Sequence, residues 1–178
     1  MGQDIYSKLG SIPTGLAQEG LIEGCLVLEG GAFRGMYTQG VLDAWMQRGV
    51  NFSCTLGVSA GALAGISYVS GQIGRSARAN LGHRHDKAYI GTAALRKSKS
   101  LIRLDFLIND FNAIEPLDEA RFQDPRRRFL AEATDCRTGN SVFWERGQCD
   151  IFSAVKASAS MPFVTPMVDV DGVPCLDG

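Results

Sequence analysis

One five-residue stretch of this chain has a spacing that could do covalent chemistry: Gly57-Val58-Ser59-Ala60-Gly61. A short strand-like segment, Cys54-Thr55-Leu56, precedes it. Ala62-Leu63-Ala64-Gly65-Ile66-Ser67-Tyr68-Val69, apolar nearly all round, follows it. Strand, G-x-S-x-G, then buried helix is the context in which this motif makes a nucleophile elbow. A serine on so sharp a turn needs neighbours two positions away, Gly57 and Gly61, that carry no side chain, so that strand and helix can approach. The Ser59 Oγ then stands at the positive end of the following helix, where developing negative charge meets N–H groups rather than water. In a chain with 21 glycines the pattern can also arise by chance, so the surrounding elements have to decide.

A second glycine-rich stretch, Glu29-Gly30-Gly31-Ala32-Phe33-Arg34-Gly35, lies upstream. It follows Cys25-Leu26-Val27-Leu28, an apolar run that suits a strand covered on both faces in a parallel sheet. After it, Tyr37, Val41, Ala44 and Trp45 fall on one helical face, with Gly49 as a stop. Such a loop presents free N–H groups to a phosphate or an oxyanion. Its spacing is neither G-x-G-x-x-G nor a P-loop, and a plain tight turn is the competing reading. Val50–Leu56 then returns as a second strand, into the elbow. Strand, glycine loop, helix, strand, serine elbow, helix is an α/β pattern with parallel strands and right-handed crossovers. Both loops fall at the carboxyl ends of strands, where such sheets place their active sites.

The elements that must position these loops fit in one domain, residues 1–178, with 1–23 as an irregular lead-in. A hydrophobic share of 45% and a net charge of −1 are those of a soluble globular protein and give no global signal for nucleic acid. No signal-peptide pattern opens the chain and no apolar run reaches a membrane span, so a cytoplasmic location is expected. The five cysteines show no C-x-x-C and read as buried free thiols. Residues 75–103 are basic and 104–124 acidic. The two blocks either pair on a solvated surface, or the basic one meets anionic lipid headgroups as a peripheral membrane contact. The interleaved Leu101, Ile102, Leu104, Phe106, Leu107 and Ile108 are either core or the wall of an acyl-chain pocket. His83-Arg84-His85 has no partner at ligand spacing and reads as surface. Downstream, Arg128–Thr134 and Ser141–Glu145 read as strands and Ile151–Ser160 as a helix. Met167–Val170 and Val173–Leu176 read as a hairpin about Asp171-Gly172.

Taken in order, the Gly30–Gly35 loop, Ser59 and the terminal Asp177-Gly178 resemble the patatin-like phospholipases, in the group of bacterial patatin-like esterases. That family shows D-G-G-G-x-R-G, then G-x-S-x-G, then a distant D-G-[GA]. Ala157-Ser158-Ala159-Ser160-Met161-Pro162 matches its A-S-x-x-x-P run, and the likeness covers about residues 24–178. The resemblance implies a three-layer α/β/α sandwich with a mainly parallel sheet. It implies hydrolysis of lipid acyl esters by a Ser-Asp dyad, with Ser59 as nucleophile and Asp177 as base. Backbone N–H groups of Gly30, Gly31 and Ala32 would form the oxyanion hole. Arg34 and Gly35 would support the loop, with no metal or cofactor. Ala32 stands where the family has a third glycine, and an alanine serves there if the position does not need positive φ. Family members continue past the D-G motif, so the chain is expected to lack the C-terminal part of the fold.

Two other readings use the same residues. A catalytically silent lipid-binding or interaction module would keep the fold without the chemistry. An acyltransferase would pass the Ser59 acyl group to an alcohol. A Ser-His-Asp triad is disfavoured, because His83 and His85 come too early for the triad order.

Overall fold

The computed structural model describes residues 9–83, 85, 86, 89 and 102–178. Its centre is three parallel strands, β1 (Ile22–Leu28), β2 (Phe52–Val58) and β3 (Arg128–Asp135). β4 (Ser141–Glu145) runs antiparallel to β3, and β5 (Val168–Val170) pairs with β6 (Val173–Leu176) as a hairpin. The longer helices are α1 (Gly35–Gln47), α2 (Ala60–Val69), α3 (Arg75–His83) and α4 (Ile151–Ser158). A π-helical turn, Phe106–Asp110, and single turns at Phe111–Ile114 and Glu119–Phe122 lie between α3 and β3. The sheet is mixed and open, and the fold is α/β as expected.

One detail of the register positions everything that follows. Thr134 of β3 pairs with Ser141 of β4 and also with Leu176 of β6. A strand has two edges, and β4 shares Leu130 to Glu132 of β3 with β2, so β2 and β4 lie on opposite edges. β6 therefore lies on the β2 edge, taking over the ladder where β2 turns away at Val58. Running antiparallel, β6 descends toward the point where β2 ends.

Side-chain alternation along the strands builds the core. Phe129, Ala131 and Ala133 of β3 are fully buried against Ala62, Ile66 and Val69 of α2 and Ala154 and Val155 of α4. Leu28 packs with Leu42 and Met46 of α1 and with Ala64 and Tyr68 of α2. In α1 the buried positions Gln39, Leu42, Asp43 and Met46 recur at helical period, and Gly49, at φ 74°, closes the end. α2 is buried almost all round, because its small residues let it lie close to the strands. A Cβ on Gly65 would sit 2.6 Å from the Phe129 ring, and one on Gly61 would sit 2.2 Å from the Leu28 carbonyl oxygen. α4 starts at Asp150, whose carboxylate accepts from the Phe152 N–H at 3.2 Å and from the Ser153 hydroxyl at 2.6 Å. The hairpin turn has Asp171 and Gly172 both at positive φ, as a type I′ turn requires.

Three expectations need correction or sharpening. Cys25–Leu28 is not covered on both faces: Leu28 is buried, but Cys25 is exposed and Val27 is 59% exposed. The same open face carries Phe143 of β4, 57% exposed. The cysteines are free, yet only Cys175 is buried; Cys25 and Cys136 are exposed, and the Sγ atoms of Cys25 and Cys54 lie 2.6 Å apart on neighbouring strands. Among the described residues two ion pairs join the charged blocks: Arg78 with Glu115 at 2.5 Å, and Arg103 with Asp110. Arg84, Lys87, Arg96, Lys97, Lys99 and Leu101 lie outside the described residues. No helix among the described residues is long and apolar enough to cross a membrane.

The close approach of α2 to β2 predicts an asymmetric response to adding one methyl group. A Cβ on Gly57 would lie 2.4 Å from the Ala62 Cα, which is backbone and cannot yield. Gly57→Ala should lower stability by roughly 3 kcal/mol, the upper end of the usual cost of overpacking. A Cβ on Gly40 of α1 would meet nothing within 4 Å among the described residues, and Gly40→Ala should be neutral or stabilising by about 0.5–1 kcal/mol. Urea unfolding of both variants measures the contrast.

Candidate active site

β2 hands over to α2 through Ser59, which adopts φ 54° and ψ −120°. That region is costly for a residue with a side chain, on the order of 1–3 kcal/mol. The neighbours hold it there. The Ser59 N–H donates to the Oγ of Ser158, which is fully buried at the end of α4, at 2.8 Å. The Ser59 carbonyl accepts from the Leu63 N–H at 3.2 Å, closing the first turn of α2.

The other half of the site arrives from β6. The chain leaves Leu176 and places Asp177 so that the Ser59 Oγ donates to its Oδ2 at 3.0 Å. Three backbone contacts fix this carboxylate. The Asp177 N–H donates to the Ser160 carbonyl at 2.9 Å, and the Gly178 N–H to the Ser158 carbonyl at 3.3 Å. The Asp177 carbonyl accepts from the Thr134 hydroxyl at 2.9 Å. Residues 158–160 thus grip both the elbow and the strand that carries the acid. Burial holds the Asp177 carboxyl above its ordinary range; the Ser59 hydrogen bond pulls it down, and the nearby negative charge of Glu132 adds to the rise.

The glycine loop closes over the same point. A Cβ on Gly30 would lie 2.9 Å from the Ser59 Cβ and 3.6 Å from its Oγ, so the loop backbone and Ser59 approach too closely for any other residue. A Cβ on Gly35 would meet the Ala60 Cβ at 2.9 Å. Gly31 is at φ 138° and Ala32 at φ 49°. The condition set for an alanine at position 32 is therefore not met: the site holds an L-residue in the left-handed region, at a cost of about 1–2 kcal/mol. Arg34 folds back on the loop, its backbone N–H donating to the Gly31 carbonyl at 3.0 Å and its side-chain Nε to the same oxygen at 3.5 Å.

Beside Ser59 lies a cavity lined by Phe33, Met36, Leu63, Ile102, Leu104 and Met161, among others. Of the apolar residues in the charged blocks, Ile102 and Leu104 thus line a pocket, whereas Phe106 and Ile108 are core. His83 packs against the rings of Phe106 and Phe111, at 5.2 and 5.7 Å between centroids, with Nδ1 3.8 Å from Asp86. His85 is exposed. Neither histidine lines the cavity.

Residues 26–178 match the sequence profile of the family described as Patatin-like phospholipase. The chain belongs to the patatin-like phospholipase family. It is also similar to a relative from Escherichia coli (strain K12), the uncharacterized protein YjjU, with 31% identity over 188 positions. That match takes in all of this chain and 52% of the relative, so the chain spans about half the length of the curated relative it matches. Within the patatin-like pattern, the structure brings together Gly30, Ser59 and Asp177, the three motifs that lie far apart in sequence. It also explains the A-S-x-x-x-P run, which sequence reasoning matched without assigning a role: Ser158 holds the elbow.

The raised pKa of Asp177 has a consequence for stability. The folded chain binds this proton more tightly than the unfolded chain does. The stability from this group is therefore full below the ordinary carboxylate pKa, about 4, and falls as pH rises through the raised folded value. Asp177→Asn should then melt above wild type at neutral pH, and the gap should close below about pH 4. Melting temperatures across that range check it; a gap independent of pH contradicts it.

Proposed function

We propose that the protein hydrolyses acyl esters of lipids, with Ser59 as nucleophile and Asp177 as its general base. The observation that carries this reading is the 3.0 Å hydrogen bond from the Ser59 Oγ to the Asp177 Oδ2 beside an apolar cavity. Asp177 takes the hydroxyl proton as the Ser59 Oγ bonds to the substrate's carbonyl carbon. The carbonyl oxygen, now negative, is met by N–H groups of the Gly30, Gly31 and Ala32 loop; a donor of this kind is worth roughly 2.7–4 kcal/mol in a characterised protease. The intermediate collapses, the ester C–O bond breaks, and Asp177 returns the proton to the departing alkoxide. Water, deprotonated by Asp177, then attacks the acyl carbon; the bond from that carbon to the Ser59 Oγ breaks, Asp177 returns the proton to the Oγ, and the carboxylic acid leaves. A carboxylate is a weaker base than imidazole near neutral pH, and burial of Asp177 narrows that difference.

The pair should behave as a unit. Ser59→Ala and Asp177→Asn should each lower kcat for a soluble acyl ester by at least about 10³-fold, and the double variant should be no worse than either. His83→Ala and His85→Ala should stay within a few-fold of wild type. The acid limb of kcat/KM should report an apparent pKa above the free carboxylate range. Steady-state rates on variants with matched circular dichroism test the set. A dead histidine variant beside an active Asp177→Asn would require a different base.

A further inference from the structure

The cavity beside Ser59 is apolar on most of its walls, and Gln39 interrupts it. This side chain is 5% exposed, and its Oε1 is shielded from water and has no hydrogen-bond partner among the described residues. The other polar side chains that line the cavity are satisfied among the described residues. Ser59 donates to Asp177, and Thr165 donates to the Met161 carbonyl at 3.2 Å. Asn80 accepts from the Tyr89 hydroxyl and donates to the Ser76 carbonyl, both at 3.1 Å. An unpaired amide oxygen inside an apolar pocket is costly, and most buried polar side-chain atoms have a partner. A substrate group that donates to Gln39 would supply the missing one.

We propose that Gln39 selects acyl chains that carry a hydroxyl near the scissile carbonyl. A hydroxyl both donates and accepts, so it pairs with this amide whichever way the amide is turned. The depth follows from the helices. α1 and α2 follow parallel strands, so both run away from the loop and the elbow. Gln39 lies four residues into α1 from Gly35, which abuts Ala60, and Leu63 lies four residues beyond Ser59. Each is on the order of 6 Å along its helix, so the hydroxyl meets Gln39 within the first several carbons of the chain. Met36, three residues before Gln39 and on the same helical face, lines the path between them. An unsubstituted chain of equal length would fill the same space and leave Oε1 unpaired. A site with a buried polar group discriminates strongly against an analogue that cannot pair with it.

This inference rests on Ser59 being the nucleophile, and its test separates the two. Methyl octanoate is compared with its counterparts hydroxylated at successive carbons of the acyl chain, with the released acid measured by mass spectrometry. In wild type, one or two neighbouring positions of the hydroxyl should raise kcat/KM at least tenfold over the plain ester. Gln39→Met, close in shape but without the amide, should bring that ratio to about one. Wild-type enzyme that prefers the plain ester at every position overturns the role of Gln39, as does a preference that survives in Gln39→Met. Loss of Ser59-dependent turnover on all of these esters would remove the hydrolase reading and this inference with it.

Discussion

The backbone of Ser59, at φ 54° and ψ −120°, is the constraint on which the rest of the site depends. A serine does not choose that conformation, so the structure around it has to supply the balance. Gly57 and Gly61 let strand and helix come within distances that no Cβ permits. The Ser158 hydroxyl then takes the Ser59 N–H at 2.8 Å. Strain of this sort persists only where neighbours over-determine it, and here they come from residues 99 positions away in the chain. The elbow is therefore a tertiary product, even though its motif is local.

Asp177 reaches Ser59 because two strands share one edge of β3. β2 occupies that edge as far as Glu132 and then leaves through the elbow; β6 enters from the other end and pairs with Thr134 and Asp135. The two strands end facing each other, the Ser59 hydroxyl just past one and the Asp177 carboxylate just past the other. Their separation is set by ladder register and by the grip of Ser158 and Ser160 on both. Burial at this meeting point raises the Asp177 pKa, which costs stability near neutral pH and strengthens the carboxylate as a base. One environment thus bears on folding and on basicity in opposite directions, and the Ala32 backbone, held at φ 49°, is a second local cost that the fold around the site carries.

Much of this was legible in the residues. The order strand, glycine loop, helix, strand, elbow, helix specifies parallel β1 and β2, because glycine spacing and helical periodicity are local signals. The hairpin about Asp171-Gly172 is legible for the same reason. Asp177 was legible through an Asp-Gly at a strand end together with the family pattern. Ser158 was not, since a serine at the end of a small-residue helix has no local mark of the long-range bond it makes. Gln39 was hidden likewise: a glutamine in an amphipathic helix reads as solvent-facing until the helix is packed. The expectation that Cys25–Leu28 is covered on both faces failed because four apolar residues cannot distinguish one buried face from two. Leu28 points into the core and Val27, next to it, points out.

The central claim is that Ser59 is a nucleophile activated by Asp177. Reaction with a fluorophosphonate ester, followed by intact mass and peptide mapping, addresses it without knowledge of the lipid. The account predicts one adduct, on Ser59, and none in Ser59→Ala. Labelling in Asp177→Asn should slow by on the order of 10²-fold or more, the contribution expected of a general base. An adduct on another residue, or Ser59 labelled at an unchanged rate in Asp177→Asn, would contradict it.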